Sequence, residues 1–259
     1  MTAADRIAAI TETAVSCAKL LTQSRRSEVS RSPRAGETLV IMGNGPSLAR
    51  DIAERLPLLQ SVPTMAVNFA ANAPEFEQLR PTSYILADPH FFSPRGTDPN
   101  LDRLIDRLDT LVTWPMTLYL PMGRDLGLTN PNIRVEHFNF LGIEGPDWLT
   151  HRAYRAGRGM PRPRNVLVPA IMTAILAGFK KIAIAGADHT WTQTLSVDDS
   201  NMVVTVQPHF YKDNNEEKAR VTSVYKDVRL HDILDSFRIA FRSYHEIACY
   251  AAREGVEIL

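Results

Sequence analysis

A glycine-rich turn between a strand and a helix is the part of this chain best suited to bind a ligand. An apolar run, Thr38–Met42, ends at the turn, and a helical pattern follows it; the turn consists of Gly43, Asn44, Gly45, Pro46 and Ser47. Glycines let the backbone approach a phosphate, and the free N–H groups of a helix N-terminus attract the same anion. The turn lacks the third glycine of a dinucleotide fingerprint and the lysine of a P-loop. It predicts a binding crevice, and the alternative is a tight turn without a ligand.

A second polar group follows a later apolar run, Lys181–Ala185, at Gly186-Ala187-Asp188-His189. Ligands of open α/β sheets bind at the carboxyl ends of strands. Asp188 and His189 there can orient a hydroxyl, take a proton or contribute to a metal site. The alternative is that Asp188 caps the next segment and His189 packs on Trp191.

Two further strand ends carry polar side chains. Asn68 follows Met65-Ala66-Val67, and Asp88 follows Tyr84-Ile85-Leu86-Ala87. Each is an ordinary turn former on its own. Turn formation alone does not require polar residues at all four strand ends. Together these residues therefore favour one shared binding crevice.

A basic segment, His151–Arg164, precedes an apolar helical pattern. It contains five arginines among glycines and prolines, namely Arg152, Arg155, Arg158, Arg162 and Arg164. Arginine binds phosphate and carboxylate bidentately. The composition predicts a flexible loop, either a lid that meets the anionic part of a substrate or a solvated surface loop.

The histidine best placed to act as a base is His209, in Gln207–Asp213. Histidine titrates near neutral pH and can therefore accept a proton there. Its aromatic neighbours are equally consistent with simple packing.

Overall composition restricts the function classes. Of 259 residues, 29 are Lys or Arg and 29 are Asp or Glu, so no global field attracts nucleic acid or an acidic membrane. The two cysteines, Cys17 and Cys249, have no metal-ligand spacing, which favours a reducing compartment. There is no membrane-spanning apolar run and no signal-peptide pattern at the N-terminus, so we expect a cytoplasmic protein.

Alternating strand and helix patterns predict an α/β fold, a doubly wound, mainly parallel sheet with an N-terminal helix. We expect an N-terminal helix and linker at 1–36 and a nucleotide-sugar-binding catalytic domain at 37–259. The predicted strands are Leu39–Met42, Thr64–Asn68, Ser83–Ala87, Met116–Leu120, Lys181–Ala185 and Val256–Leu259. The predicted helices are Leu48–Gln60, Asn72–Leu79, Asn100–Leu111, Val166–Ala177 and Leu230–Arg253.

The N-terminal helix, residues 4–22, carries an apolar stripe. Its members recur at spacings of three and four and are Ile7, Ile10, Ala14, Cys17 and Leu21. Such a stripe docks on its own domain or on a neighbouring subunit, so the helix is a candidate surface for a homo-oligomer.

Two motif blocks resemble a bacterial and archaeal Rossmann-like superfamily. The blocks are Ile-Met-Gly-Asn-Gly-Pro-Ser-Leu at 41–48 and the segment 178–191, which ends in Gly-Ala-Asp-His-Thr-Trp. The superfamily includes the family 42 bacterial sialyltransferases, the glycosyltransferase domain of motility accessory factors and archaeal 6-hydroxymethylpterin diphosphokinase. The order of elements is similar over roughly residues 39–259.

The resemblance implies roles for matched positions. In the sialyltransferases the glycine turn, an Asn after the second strand and an Asn-Pro after the third contact a cytidine nucleotide sugar. Here Gly43–Ser47 and Asn68 match, and Asp88-Pro89 replaces Asn-Pro.

Other positions depart from the sialyltransferase pattern. Arg162, Arg164 and Asn165 stand where those enzymes place an arginine before Thr-Ser-Gly, which is missing here. His209 beside Tyr211 is the candidate for their catalytic histidine, and His231 is held in reserve.

The resemblance therefore implies an inverting glycosyltransferase that moves a sugar from a nucleotide-activated donor, with a CMP-sugar favoured, to a cell-surface glycan acceptor. His209 would be the base, with His189 and Asp188 completing the catalytic group, and no cofactor or metal is required. One alternative is a diphosphokinase whose Mg²⁺ is held by Asp88 and Asp188. Another is a non-catalytic nucleotide-binding module.

Overall fold

The computed structural model of the chain describes residues 3–193, 195–197, 199, 203–204 and 228–259. Its helices are α1 (Ala3–Thr22), α2 (Ser47–Ser61), α3 (Phe76–Leu79), α4 (Pro99–Leu111), α5 (Asp147–Arg155), α6 (Leu167–Leu176) and α7 (Leu230–Arg253). Its strands are β1 (Thr38–Met42), β2 (Thr64–Val67), β3 (Ser83–Ile85), β4 (Met116–Pro121), β5 (Ile133–Phe138), β6 (Lys181–Ala185), β7 (Ser196–Val197), β8 (Val203–Val204) and β9 (Glu257–Ile258).

Seven of the strands form one parallel sheet in the order β5-β4-β3-β2-β1-β6-β9. The chain builds outward from β1 to β5, then returns to the other side of β1 with β6. The strand order therefore reverses between β1 and β6, which is the position where open α/β sheets bind ligands. The predicted α/β, doubly wound, Rossmann-like architecture with an N-terminal helix is confirmed.

The sheet carries apolar side chains on both of its faces, and helices therefore pack against both faces. Leu39 and Ile41 of β1 belong to a core packed against α5, α6 and α7, whereas Met42 belongs to a core packed against α2, α3 and α4. Successive strand residues point to opposite faces, so a strand that is apolar throughout must be buried on both sides. The short strands β2 and β3 are buried at every position.

Most of the predicted strands and helices are confirmed, with small shifts at their ends. One strand was missed, and two predictions need correction. Strand β5 was not predicted, because this edge strand mixes charged residues with its apolar ones. The predicted loop over His151–Arg164 is wrong in its first part, since α5 extends to Arg155 with Ala153 and Tyr154 buried. The predicted helix Asn72–Leu79 is interrupted at Ala73, which is extended as expected for a residue before proline.

Helix α1 docks through a face other than its apolar stripe. Ser16 is buried and its hydroxyl accepts a hydrogen bond from the N–H of Glu144 at 2.9 Å. In contrast, Ile7, Ile10 and Leu21 are 66%, 69% and 86% exposed. The stripe therefore does not dock on this chain's own domain, and a homo-oligomer through α1 stays a prediction. No helix in the described part of the chain has both the length and the apolar character needed to cross a membrane.

A buried tyrosine shapes the turn after β2. The Tyr84 hydroxyl donates to the carbonyl of Asn68 at 2.5 Å and accepts from the N–H of Ala71 at 2.9 Å. Asn68 has a φ of 51°, in the left-handed region that residues other than glycine rarely adopt. Two hydrogen bonds from β3 thus hold the strained turn that carries Asn68.

We predict that Tyr84→Phe lowers the free energy of unfolding by roughly 1–3 kcal/mol, because it leaves a buried N–H and a buried carbonyl without partners. Denaturant unfolding measures the change. Tyr119→Phe is the control: Tyr119 is also buried, on the adjacent strand, and its hydroxyl has no hydrogen-bond partner among the described residues. Equal losses in the two variants would contradict the assigned role of the Tyr84 hydroxyl.

Candidate functional site

A cavity of about 490 Å³ opens at the carboxyl ends of β1 and β6, where the strand order reverses. This volume is in the range of small-molecule sites. Residues from each predicted polar strand end line it, and the lining includes Gly43, Asn44, Gly45, Pro46, Asn68, Asp88, Arg164, Asn165, Asp188 and His189. The structure therefore brings together most of the residues that the sequence singled out.

The turns after β1 and β6 touch through their backbones. The N–H of Gly43 donates to the carbonyl of Ala185, and that of Gly45 donates to the carbonyl of Gly186, each at 2.8 Å. A Cβ atom at Gly43 would overlap the Gly186 carbonyl, and one at Gly186 would lie 2.8 Å from the Cβ of Leu48. The glycines of both motifs are thus required by the contact between the two turns.

Asp188 lies at the N-terminus of α2. Its Oδ2 accepts a hydrogen bond from the N–H of Ser47 at 3.2 Å, and it lies so close to Gly45 that a Cβ there would overlap it. The N–H of Leu48 donates to the carbonyl of Gly45. A carboxylate of the protein already meets the positive end of this helix, so a phosphate at the same point would be repelled.

Asn68 and Asp88 lie at the ends of the next two strands along the sheet. Asp88 is exposed, and its Oδ1 accepts from the N–H of His90 at 2.8 Å, which caps the 3₁₀ turn Pro89–Phe92. The capping oxygen is engaged by the fold. The second carboxylate oxygen remains for a ligand hydroxyl or a cation.

Asn44 has a side chain that the fold leaves without partners. Its Oδ1 and Nδ2 are both buried, and neither hydrogen-bonds to any described residue. A buried polar group without a partner costs roughly 1–3 kcal/mol, so native proteins rarely leave one unpaired without reason. Asn44 lines the cavity.

The basic segment contributes one arginine to the cavity. Arg164 is exposed, lines the cavity and has no ion-pair partner among the described residues. Arg162 does not line it, and its guanidinium lies 3.8 Å from the carboxylate of Glu144. Asn165 caps α6, because its Oδ1 accepts from the N–H of Leu167 at 3.0 Å.

His189 lines the cavity with both ring nitrogens engaged. Nδ1 lies 2.6 Å from the carbonyl oxygen of Ala187, and Nε2 lies 2.9 Å from the hydroxyl of Tyr244 on α7. The ring also packs on Trp191 at a centroid distance of 4.9 Å. Packing on Trp191 was the alternative considered for this histidine, and it coexists with a place in the cavity wall.

The other two candidate histidines are His209 and His231. His209 lies outside the described residues. His231, the reserve candidate, is on α7 with a side chain that is 83% exposed. No group of three His, Cys, Asp or Glu side chains suited to a metal occurs in the described part of the chain.

Sequence reasoning missed residues that α7 brings to the site. Ser236 lines the cavity, and Tyr244 supports it through His189. The helix that carries them was predicted correctly. Its periodicity does not show, however, which other elements of the fold it packs against.

No family model matches the chain, and no curated protein matches it. Among solved structures, the chain is similar to the MAf glycosyltransferase from Magnetospirillum magneticum AMB-1, with 13% sequence identity and a TM-score of 0.46. The aligned part covers 85% of this chain and 34% of that chain, so this chain spans about a third of that structure. Similarity at this level establishes neither a shared family nor a shared activity.

We predict that Gly43→Ala destabilises the protein by roughly 1–3 kcal/mol, because the new methyl group must push the β6 turn away. Gly36→Ala is the matched control, since nothing lies within 4 Å of a Cβ at Gly36. Denaturant unfolding of both variants is the measurement, and we expect the control to stay within about 0.5 kcal/mol of the parent. If Gly43→Ala behaves like Gly36→Ala, the contact between the turns is not tight.

Proposed function

We propose that this protein transfers a sugar from a nucleotide-activated donor to a hydroxyl acceptor. The observation that carries the proposal is one cavity that combines amide and carboxylate side chains with an arginine that has no ion-pair partner among the described residues. A sugar nucleotide needs both kinds of group, because it joins a polyol to a phosphate.

The hydroxyl-binding part consists of Asn44, Asn68, Asp88 and Asp188. Sugar and ribose hydroxyls donate to carboxylates and both donate to and accept from amides. The buried Asn44 amide gains the most from such a ligand, since it has no partner within the described protein. Asp188 keeps one carboxylate oxygen on Ser47 and offers the other.

The phosphate binds on the side of Arg164. Arginine is the residue suited to phosphate, and the negative charge of Asp188 at the start of α2 disfavours the opposite wall. The glycine turn therefore contacts the sugar or nucleoside, and Arg164 contacts the phosphate. This differs from a phosphate cradle at the turn itself.

In the proposed reaction, the acceptor hydroxyl attacks the anomeric carbon of the donor sugar from the face opposite the nucleotide. The bond between that carbon and the phosphate oxygen breaks, and the phosphate leaves with the electron pair. Arg164 stabilises the charge that develops on the leaving phosphate. His209 takes the acceptor proton as general base.

The second candidate function is diphosphate transfer from ATP. It is favoured by one observation, namely that two carboxylates, Asp88 and Asp188, line the same cavity. Mg²⁺ is usually held by one or two carboxylates together with substrate phosphates. Under this candidate those two residues would hold the metal, and binding of ATP would depend on it.

Two finer parts of the proposal, a CMP-sugar as donor and a cell-surface glycan as acceptor, rest on the sequence resemblance. The proposed cytoplasmic location rests on cysteine content and sequence pattern, and the proposed association through α1 rests on its apolar stripe. A non-catalytic nucleotide-binding module would bind the same donors without turning them over.

We predict that a nucleotide sugar raises the thermal midpoint of the protein without Mg²⁺, and that Arg164→Ala weakens its affinity about 10- to 100-fold, as expected for loss of a charged hydrogen bond. Thermal shift and calorimetry against CMP-, UDP- and GDP-sugars and ATP, with and without Mg²⁺, are the measurements.

Arg158→Ala is the control for this prediction. Arg158 is exposed and does not line the cavity, so its loss removes the same charge from another place. Equal losses in both variants would contradict a local phosphate site at Arg164. Binding of ATP alone, dependent on Mg²⁺, would favour diphosphate transfer over sugar transfer.

We also predict that His209→Ala lowers kcat about 100-fold, the scale of general base catalysis, with little change in donor affinity. His231→Ala, on exposed α7 surface, is the control and should leave kcat unchanged. Activity should fall as the pH drops through the histidine range, because a protonated imidazole cannot accept the proton. Unchanged kcat in His209→Ala would remove His209 from the mechanism.

A further inference from the structure

The two ring nitrogens of His189 are bonded in a way that fixes the position of its proton. A carbonyl oxygen only accepts hydrogen bonds, so the short contact to Ala187 requires that Nδ1 carries the hydrogen. In the neutral ring Nε2 then has the lone pair, and the Tyr244 hydroxyl donates to it at 2.9 Å. Neither nitrogen is free to take a proton from a substrate.

Tyr244 stands between two walls of the cavity. Burial raises the pKa of its hydroxyl, and the amide of Asn165 beside it acts in the opposite direction. Asn165 caps α6 next to Arg164, whereas His189 belongs to the loop after β6. The Tyr244 hydroxyl on α7 thus bonds to the wall that carries Asp188 through His189, whereas the buried Nδ2 of Asn165 has no hydrogen-bond partner among the described residues.

The loop that Tyr244 contacts is held in a strained conformation. His189 has a φ of 51°, and Gly186 has a φ of 65°. Such a backbone is unfavourable at a residue other than glycine and persists only where surrounding contacts hold it. The two ring hydrogen bonds of His189 are contacts of this kind, and Asp188 is its neighbour.

We propose that Tyr244 is a positioning residue that donates to Nε2 of His189, fixes the orientation of the ring and thereby holds Asp188 in place at the cavity. His189 then acts through the loop it fixes and not as the proton acceptor. The role of Tyr244 in the loop stands on geometry alone, whereas its effect on turnover rests on the proposed sugar transfer.

The test uses Tyr244→Phe, which removes only the hydroxyl. Ring ¹⁵N NMR of the full-length protein, with the His189 signals assigned by their loss in His189→Asn, reports which nitrogen carries the hydrogen. We expect the Nδ1–H form in the parent and in Tyr244→Phe, because the Ala187 carbonyl remains in both. The Nε2 resonance should shift in Tyr244→Phe, where the donor to that nitrogen is lost. Tyr250→Phe on the same helix is the control, since Tyr250 is a buried residue whose hydroxyl has no hydrogen-bond partner among the described residues.

The kinetic arm measures kcat and donor affinity in the same variants. Loosening the loop should lower kcat about tenfold, and it should weaken donor affinity less than Arg164→Ala does, because Asp188 is one of several groups that bind the donor hydroxyls. An Nε2–H form in the parent, or an unchanged His189 spectrum in Tyr244→Phe, would overturn the proposal. If Tyr244→Phe fails to fold, the spectrum of the parent still tests which ring nitrogen of His189 carries the hydrogen.

The two proposals fail in different ways. If the spectra change as expected but the parent turns over no nucleotide sugar, the proposed function falls and the positioning role of Tyr244 stands. If sugar transfer is found and Tyr244→Phe leaves the His189 spectrum unchanged, the positioning role falls and the function stands.

Discussion

The backbone contact between the turns after β1 and β6 is the constraint on which the rest of the site depends. The register of the two strands pairs Met42 with Ala185, so Gly43 and Gly186 follow directly opposite one another. From this point α2 covers one face of the sheet, whereas α7, which follows β6 among the described helices, packs on the other. The chain segments after β1 and β6 separate from the point where their turns touch. The space between these two segments is the cavity.

The same contact determines the charge pattern of the cavity. Because the turns touch, Asp188 reaches the N-terminus of α2 and occupies the position where a helix dipole would otherwise attract a phosphate. The favourable site for an anion is then the wall formed by Arg164 and Asn165. The positive end of a helix is thus used to hold a carboxylate of the protein, and that carboxylate becomes a polar group available to a ligand hydroxyl.

The local sequence pattern was sufficient to predict most of the strands and helices. It failed for elements whose formation depends on tertiary contacts. Strand β6 and helix α7 have the predicted limits, because an apolar run and a 3.6-residue period respectively identify them. Strand β5 was missed because Arg134 and Glu136 interrupt its apolar pattern, and Glu136 is buried only because Ser30 and Arg134 pair with its carboxylate. Helix α5 was missed because its arginines face solvent while Tyr154 is buried.

The candidate site was predictable in its membership and not in its internal bonds. Strand ends identified Asn44, Asn68, Asp88 and Asp188, since carboxyl ends of parallel strands meet at one edge. The hydroxyl of Tyr244 bonds to a residue 55 positions earlier, and Asp188 bonds to an N–H 141 positions earlier. Partners at such separations depend on how the layers pack, which no local pattern records.

Only part of the glycine turn after β1 is evidence that a ligand binds there. Gly43 and Gly45 are explained by the approach of the neighbouring turn, so their presence is equally expected in a protein that binds nothing. Asn44, between them, is not explained in this way, because its buried amide has no partner among the described residues and therefore opposes folding. A residue that costs stability and lines a cavity is evidence for a ligand in a way that the glycines are not. The functional meaning of the turn therefore rests on its asparagine.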